Sequence, residues 1–348
     1  MAAVMLAGLS GCFNMTPDYH RPALDIRQPE SFRNASVSGP ALLVDDPWWR
    51  EFGNPEIDKM VEEVLHRNWD VRLAAARILE AGWNVTRVRA DRFPSIGLQG
   101  TADRRKIGGP RVESGLVFNT LETSVPATFE LDLWGRLAAA EKAARYDLLM
   151  EEENRRTVAH TVIAETVKRY FEMEAIERRL QITRQSIAAF VRSLDFVQRR
   201  YRHGLSSVLA VRQARRILAE AEAIIPDLQQ QLGSIQQQIA VLLGRYPSTR
   251  PEQVRPEDYF KRLPPVPAGL TSELLQRRPD IRAAEARLKA ANERIGAAKA
   301  ARFPAITLTG RYGYSSDELN SLINPASVFW NLTAGLTQPL FDAGKLKA

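Results

Sequence analysis

Residues 302–310 read Arg302-Phe303-Pro304-Ala305-Ile306-Thr307-Leu308-Thr309-Gly310, and residues 92–100 read Arg92-Phe93-Pro94-Ser95-Ile96-Gly97-Leu98-Gln99-Gly100. The blocks lie 210 residues apart. The same offset, without a gap, relates Asp70-Val71-Arg72-Leu73-Ala74-Ala75-Ala76-Arg77 to Asp280-Ile281-Arg282-Ala283-Ala284-Glu285-Ala286-Arg287. It still holds at Asp132 and Asp342, in Leu131-Asp132-Leu133-Trp134-Gly135-Arg136 and Phe341-Asp342-Ala343-Gly344-Lys345. Two copies of one unit predict a duplicated fold, since a solenoid needs more and shorter repeats.

Each copy has the same order of elements. A helix is predicted from near Pro55 in the first copy and Leu270 in the second, acidic early and basic late, with Ala-rich faces at 74–76 and 283–284 for close packing. Pro94 and Pro304 stop it, because proline ends the hydrogen-bond ladder. The period then changes from 3.6 to 2. Ile306, Leu308, Gly310, Tyr312 and Tyr314 share one face, against Thr307, Thr309, Arg311 and Gly313. Val125, Ala127, Phe129 and Leu131 alternate likewise with polar residues, as do Trp330, Leu332, Ala334 and Leu336.

The alternation predicts four strands, at 95–100, 124–132, 306–314 and 328–338, with polar loops at 103–120 and 315–327. Their lengths approach the 9–11 residues that cross a bilayer, although a half-buried sheet in water alternates in the same way. If the strands meet lipid, four cannot close on themselves. Open edges in hydrocarbon cost several kcal/mol per unpaired group, and single-chain barrels begin at about eight strands. Four-stranded protomers must then share a barrel.

Between the copies, residues 137–202 contain neither proline nor glycine. At about 1.5 Å per residue, a helix of that length reaches roughly 100 Å. Leu180, Ile187, Leu194 and Tyr201 recur every seven residues, with Ile176, Phe190 and Val197 on the intermediate seam, which is the mark of a coiled coil. His203-Gly204 breaks the helix, and a return helix is predicted from about Ser206 to Leu243, with Pro226 as a kink and Gly244 as its end.

At the N-terminus an apolar run ends in Leu9-Ser10-Gly11-Cys12, with small residues before the cysteine as signal peptidases require. The expectation is a cleaved leader and acylation of Cys12, with acyl chains contributing about 0.8 kcal/mol per buried CH₂. No Lys or Arg precedes the run, which places the expected start upstream of Met1. Residues 17–47, rich in Pro, Ser and Asn, read as an extended tether.

Composition excludes other classes. The 348 residues are 45% hydrophobic and 26% charged, too apolar and too balanced for a disordered chain. One cysteine excludes a disulfide framework and multi-cysteine metal sites. A net charge of +7 over this length, and the basic run Arg199-Arg200-Tyr201-Arg202-His203, read as a solvated or partner-facing surface, with no nucleic-acid partner. His20, His66, His160 and His203 are scattered, and no nucleophile, Walker or dinucleotide pattern occurs. The expectation is a protein that is not an enzyme, with no catalytic residue, metal or cofactor.

The sequence resembles the TolC-type outer-membrane channel family, in the lipoprotein branch that serves resistance-nodulation-division (RND) efflux systems. Leu9-Ser10-Gly11-Cys12, Trp48-Trp49, Asn54-Pro55, Asn68, Asp70, Arg77, Arg92-Phe93-Pro94, Phe129 to Arg136, Arg200-Tyr201 with Gly204, Arg277 to Ile281, Arg302-Phe303-Pro304 and Pro339 to Asp342 carry the resemblance. It implies a mixed α and β fold, in which a homotrimer shares a transmembrane barrel of four strands per protomer, continued by a periplasmic helical coiled-coil barrel. The function implied is passive export of small molecules, docked to a periplasmic adaptor and an inner-membrane RND transporter, with outer-membrane lipid around the barrel. The adaptor is expected at the hairpin tip, on Arg202, Gly204, Leu205 and Ser206. Phe93, Pro94, Asp132, Trp134, Gly135, Phe303, Pro304 and Asp342 are expected as structural motif residues. The alternative is a non-channel envelope lipoprotein whose coiled-coil arm bridges partners.

The segments expected are a 1–11 leader, a 12–54 lipidated tether and belt, a 55–93 helix, a 94–134 β-hairpin, a 135–244 helical hairpin, a 245–270 belt, a 271–303 helix, a 304–342 β-hairpin and a 343–348 helix start. The sequence departs from the family at Ala210, where Asp is usual, and after Asp342, where symmetry asks for roughly 106 more residues. The latter reads as a fragment or truncated gene that lacks the gate-forming hairpin and does not form a working channel alone.

Overall fold

A computed structural model describes residues 15–21, 47–109, 112–247 and 277–347. Cys12, the 1–11 leader, most of the tether and most of the 245–270 belt lie outside the described residues. The helices are α1 (Pro55–Arg67), α2 (Trp69–Ala90), α3 (Arg136–Arg202), α4 (Val208–Leu242) and α5 (Pro279–Ala300). The strands are β1 (Ser95–Ile96), β2 (Gln99–Gly109), β3 (Val112–Leu131), β4 (Ala305–Ser316) and β5 (Val328–Thr337). The chain divides into two compact units, one holding the strands with most of α2 and α5 and the start of α3, the other holding α1, α4 and the rest of α3.

The second unit is a helical core. Ile57, Val61 and Val64 of α1 pack with Tyr170, Met173 and Leu180 of α3 and with Leu228 and Leu232 of α4, all nearly or fully buried. Trp48, Trp49 and Phe52 lie against the same cluster, with the Phe52 and Phe171 rings 5.0 Å apart. The seam is therefore a packed core at Ile176 and Leu180, while Tyr201 near the hairpin end is exposed. Pro226 is accommodated inside α4.

The helix expected over 55–93 is two helices. Asn68 leaves the helical region at ψ 132°. Its Oδ1 accepts from Asp70 N at 2.9 Å and Val71 N at 3.2 Å, capping α2, while its Nδ2 donates to the Leu242 carbonyl at 2.9 Å. An amide side chain that satisfies three groups at once outweighs the ladder bond lost at the break. In the second copy Arg278, 210 residues on, is likewise non-helical and α5 begins at Pro279, with both α2 and α5 22 residues long.

The strand unit is one antiparallel sheet. Both β1 and β2 pair with β3, β3 pairs with β4, and β4 pairs with β5. Since Gly97 N still donates to Pro126 O at 3.0 Å, β1 and β2 form one interrupted lane, and the sheet has four lanes. The loop expected at 103–120 is a correction: its described residues, 103–109 and 112–120, are strand, paired from Asp103↔Thr120 to Ile107↔Leu116. Charged side chains there do not oppose pairing, because backbone bonds are indifferent to polarity where both faces meet water, and Asp103 and Arg105 neutralise each other at 3.2 Å. Of the loop expected at 315–327, Ser315 and Ser316 belong to β4, and the rest holds two short 3₁₀ turns, Leu319–Ser321 and Pro325–Ser327.

Candidate functional site: a two-faced sheet, its junctions and a helical tip

Register sorts the sheet into two faces. Ile96 and Leu98 lie with Val125, Ala127, Phe129 and Leu131, with Ile306, Leu308 and Tyr312, and with Trp330, Leu332 and Leu336. This face is apolar and open: Leu98 is 82% exposed, Leu332 75% and Trp330 74%. The opposite face carries Gln99, Thr101, Glu122, Ser124, Thr309, Arg311, Asn331 and Thr333. In water such a face would be a large uncovered apolar patch, whereas in a bilayer it is the expected surface. Among the described residues no further strand pairs with the outer edge of β2 or of β5.

The motif residues join strands to helices. Asp132 caps α3, its Oδ1 accepting from Leu137 N at 3.1 Å and its Oδ2 from Ala138 N at 2.8 Å. Asp342 does the same for the last turn, accepting from Gly344 N at 3.0 Å and Leu346 N at 2.8 Å. Gly135 takes the left-handed conformation between strand and helix, at φ 73°. The Trp134 indole donates to the Pro304 carbonyl at 2.8 Å and stacks on Phe303 at 4.9 Å, so one junction reads the other directly. Phe93 is exposed beside Arg89, and Pro94 separates α2 from β1. The buried Glu141 accepts from Arg92 at 2.5 Å and from Arg145 at 2.6 Å. The Arg92 hydrogen bond, aided by Arg145, holds the Glu141 carboxyl below its ordinary range despite burial.

At the tip α3 ends in a Schellman turn. Gly204 sits at φ 72°, with Gly204 N donating to Tyr201 O and Leu205 N to Arg200 O, both at 2.9 Å. Ser207 caps α4, its hydroxyl accepting from Ala210 N at 3.3 Å. Arg202, Gly204 and Leu205 are exposed and Ser206 is half-buried, while Val208 and Leu209 add apolar surface. The four tip residues share one turn, between the end of α3 and the start of α4.

Three features escaped the sequence reading. Asn68 is one. A second is the seat of residues 15–21 on α5, where Asn292 Nδ2 donates to Pro17 O at 2.7 Å and Thr16 donates to Glu293 at 3.1 Å. The third is an ion pair between Arg311 and Glu122 on the polar sheet face. Its signal was visible, as the one basic residue inside the alternating run 306–314. Among the described residues no three His, Cys, Asp or Glu side chains gather in a metal-binding arrangement, and no helix is long and apolar enough to cross a membrane.

The family model described as outer membrane efflux protein matches residues 60–245 and 270–348. The chain belongs to the outer membrane efflux protein family. Among relatives of this efflux protein, the cation efflux system protein CusC of Escherichia coli (strain K12) is 32% identical over 341 residues, covering 98% of this chain and 74% of CusC. The pyoverdine export outer membrane protein OpmQ of Pseudomonas putida is 30% identical over 351 residues, covering 98% and 72%. The solved outer-membrane channel OprN superposes with a TM-score of 0.83 at 29% identity, covering 95% of this chain and 74% of OprN. The TolC-type channel fold, mixed but mostly helical with an antiparallel sheet, is thus that of the protein. It is an outer-membrane component of a bacterial efflux system and not an enzyme.

Proposed function

We propose that three copies of the chain share one barrel of 12 strands, four lanes from each, and that the barrel is the outer-membrane exit of a tripartite pump. One observation supports this above the rest: a four-lane sheet with one apolar face and two edges that lack a strand partner among the described residues. Pairing the β2 lane of one copy with β5 of the next satisfies both edges, as hydrocarbon requires. The bridging-lipoprotein alternative has no use for such a sheet.

The anchor belongs on Cys12, at the head of a 12–54 tether. The tip residues Arg202, Gly204, Leu205 and Ser206 suit a periplasmic adaptor that couples the channel to an inner-membrane transporter. Cargo choice then lies with the pump, in keeping with relatives of similar identity named for cations and for pyoverdine. Cross-linking and heat-modifiable gel mobility of the outer-membrane fraction test the shared barrel. A trimer that dissociates only on boiling is expected, and a monomer in the soluble periplasmic fraction would overturn the reading.

A further inference from the structure

Arg311 lies in the middle of a strand whose other face is apolar from Ile306 to Tyr314, at the depth where a charge is most costly unless it faces water. Its Cα partner on β3 is Pro126, yet its guanidinium reaches Glu122, four residues further along that strand. At about 3.3 Å per residue the two α-carbons stand roughly 13 Å apart along the strand, so both side chains must lie nearly flat on the wall.

The wall is shaped for this. Gly313 and its partner Ser124 occupy the intervening position, and a Cβ on Gly313 would overlap the Thr123 carbonyl oxygen and come within 2.7 Å of Ser124 Cα. Ser124 is 2% exposed, with its hydroxyl 3.4 Å from the guanidinium and donating to Glu122 at 3.1 Å. On the other flank the Phe329 ring lies 5.7 Å from the guanidinium carbon. Arg311 Nε is buried and has no hydrogen-bond partner, as expected of a side chain pressed along a surface. The other charges on this face are already matched, Asp103 with Arg105 at 3.2 Å and Glu130 with Arg136 at 2.7 Å.

We propose that Glu122 and Arg311 set the ion selectivity of the barrel, resting on the shared-barrel reading above. Glu122 holds the guanidinium against the wall as a neutral pair. Loss of either side chain leaves one unbalanced charge per protomer facing the lumen, three around a single ring, where rings of like charge decide which ion passes.

The test is the reversal potential of the full chain in planar lipid bilayers under a KCl gradient. Glu122→Gln is expected to shift the potassium-to-chloride permeability ratio about fivefold toward chloride, and Arg311→Gln about fivefold toward potassium. The double neutral variant, and the exchanged pair Glu122→Arg with Arg311→Glu, restore balance and are expected to return the wild-type ratio. These two also cover the case in which a single variant fails to assemble. Cross-linked trimers whose ratio is unmoved by either single change would overturn the proposal, as would a double variant displaced as far as a single one. Absence of trimers and of conductance in the wild type would instead remove the barrel reading itself.

Discussion

Helices α2 and α5 have the same length and stand 210 residues apart, yet among the described residues one carries a segment of its own chain along a row where the other is exposed. On α5, residues 15–21 run along Glu285, Lys289, Asn292, Glu293 and Gly296. At the matching positions α2 carries Ala75, Leu79, Gly82, Trp83 and Thr86. There Leu79 is 67% exposed, Trp83 is 73% exposed, and nothing lies within 4 Å of where a Cβ on Gly82 would stand. The backbones are alike. What differs is a row of about five side chains, with a glycine notch and two carboxylates on one helix and apolar bulk on the other. A duplicated helix acquires a private ligand through its surface row, without any change in its own geometry.

The sharpest way to break the comparison is to fill the notch. A Cβ at Gly296 would stand 2.7 Å from Thr16 Cα, so Gly296→Val must expel residues 15–21 or shift α5. Overpacking of this kind costs about 1–3 kcal/mol, and chymotrypsin cleavage after Tyr19 in the folded protein should accelerate at least about tenfold. The same substitution at the glycine of the open helix, Gly82→Val, one turn before the position that matches Gly296, should leave stability within about 0.5 kcal/mol of wild type by thermal denaturation. Equal sensitivity at the two positions would mean that the seat on α5 is no seat at all.

A smaller effect separates the helix starts. Asn68→Ala removes the cap of α2 and strands the Leu242 carbonyl, and should cost about 1–2 kcal/mol in denaturant titration. At the corresponding Arg278, an exposed side chain pairs with Asp280 at 2.6 Å and by that hydrogen bond holds the Asp280 carboxyl below its ordinary range. Because water screens such a pair, Arg278→Ala should cost under about 1 kcal/mol. The same start of the same repeated helix is thus structural in one copy and nearly incidental in the other.

These contrasts explain what the sequence could tell. Pro94, Pro304 and Gly204 act on their near neighbours along the chain, so their roles are legible as local grammar, whereas Asp132 and Asp342 stand in the sequence only as repeated motif positions and their caps appear in the structure. The role of Asn68 was not legible, because it sits in a helical pattern and its deciding partner, Leu242, is 174 residues away. Gly296 carries no signal of its own in the sequence, because its partner Thr16 belongs to the other end of the chain. The 103–120 strands were mistaken for a loop because alternation reports burial, and a ribbon wet on both faces need not alternate. Glu122 and Arg311 were each visible, but their pairing across two strands depends on the register and on the absence of a side chain at Gly313.

The finest distinction between the two helices is a titration. Glu285 of α5 binds Arg21, and Lys289 lies 3.2 Å from its other oxygen. Burial pushes the Glu285 carboxyl up, but the hydrogen bonds from Arg21 and Lys289 outweigh it and leave the group below its ordinary value near 4.5. A folded value beneath the unfolded one means that the folded state releases its proton more readily. The contribution to stability is therefore full above the ordinary glutamate range and is lost as pH falls through the lowered value. Arg21 is half exposed, so solvent screens the pair and the effect is the smallest of the three. With a nitroxide at Asp18→Cys in a Cys12→Ser background, the label should stay immobile from pH 7 to about 5 and loosen below about pH 4. In Glu285→Ala, which makes this position of α5 match Ala75 of α2, the label should be mobile throughout and the pH dependence should vanish. A loosening that survives that substitution would move the switch to Glu293, the carboxylate that accepts from Thr16, and would show that the hydroxyl contact holds the strap while the ion pair only decorates it.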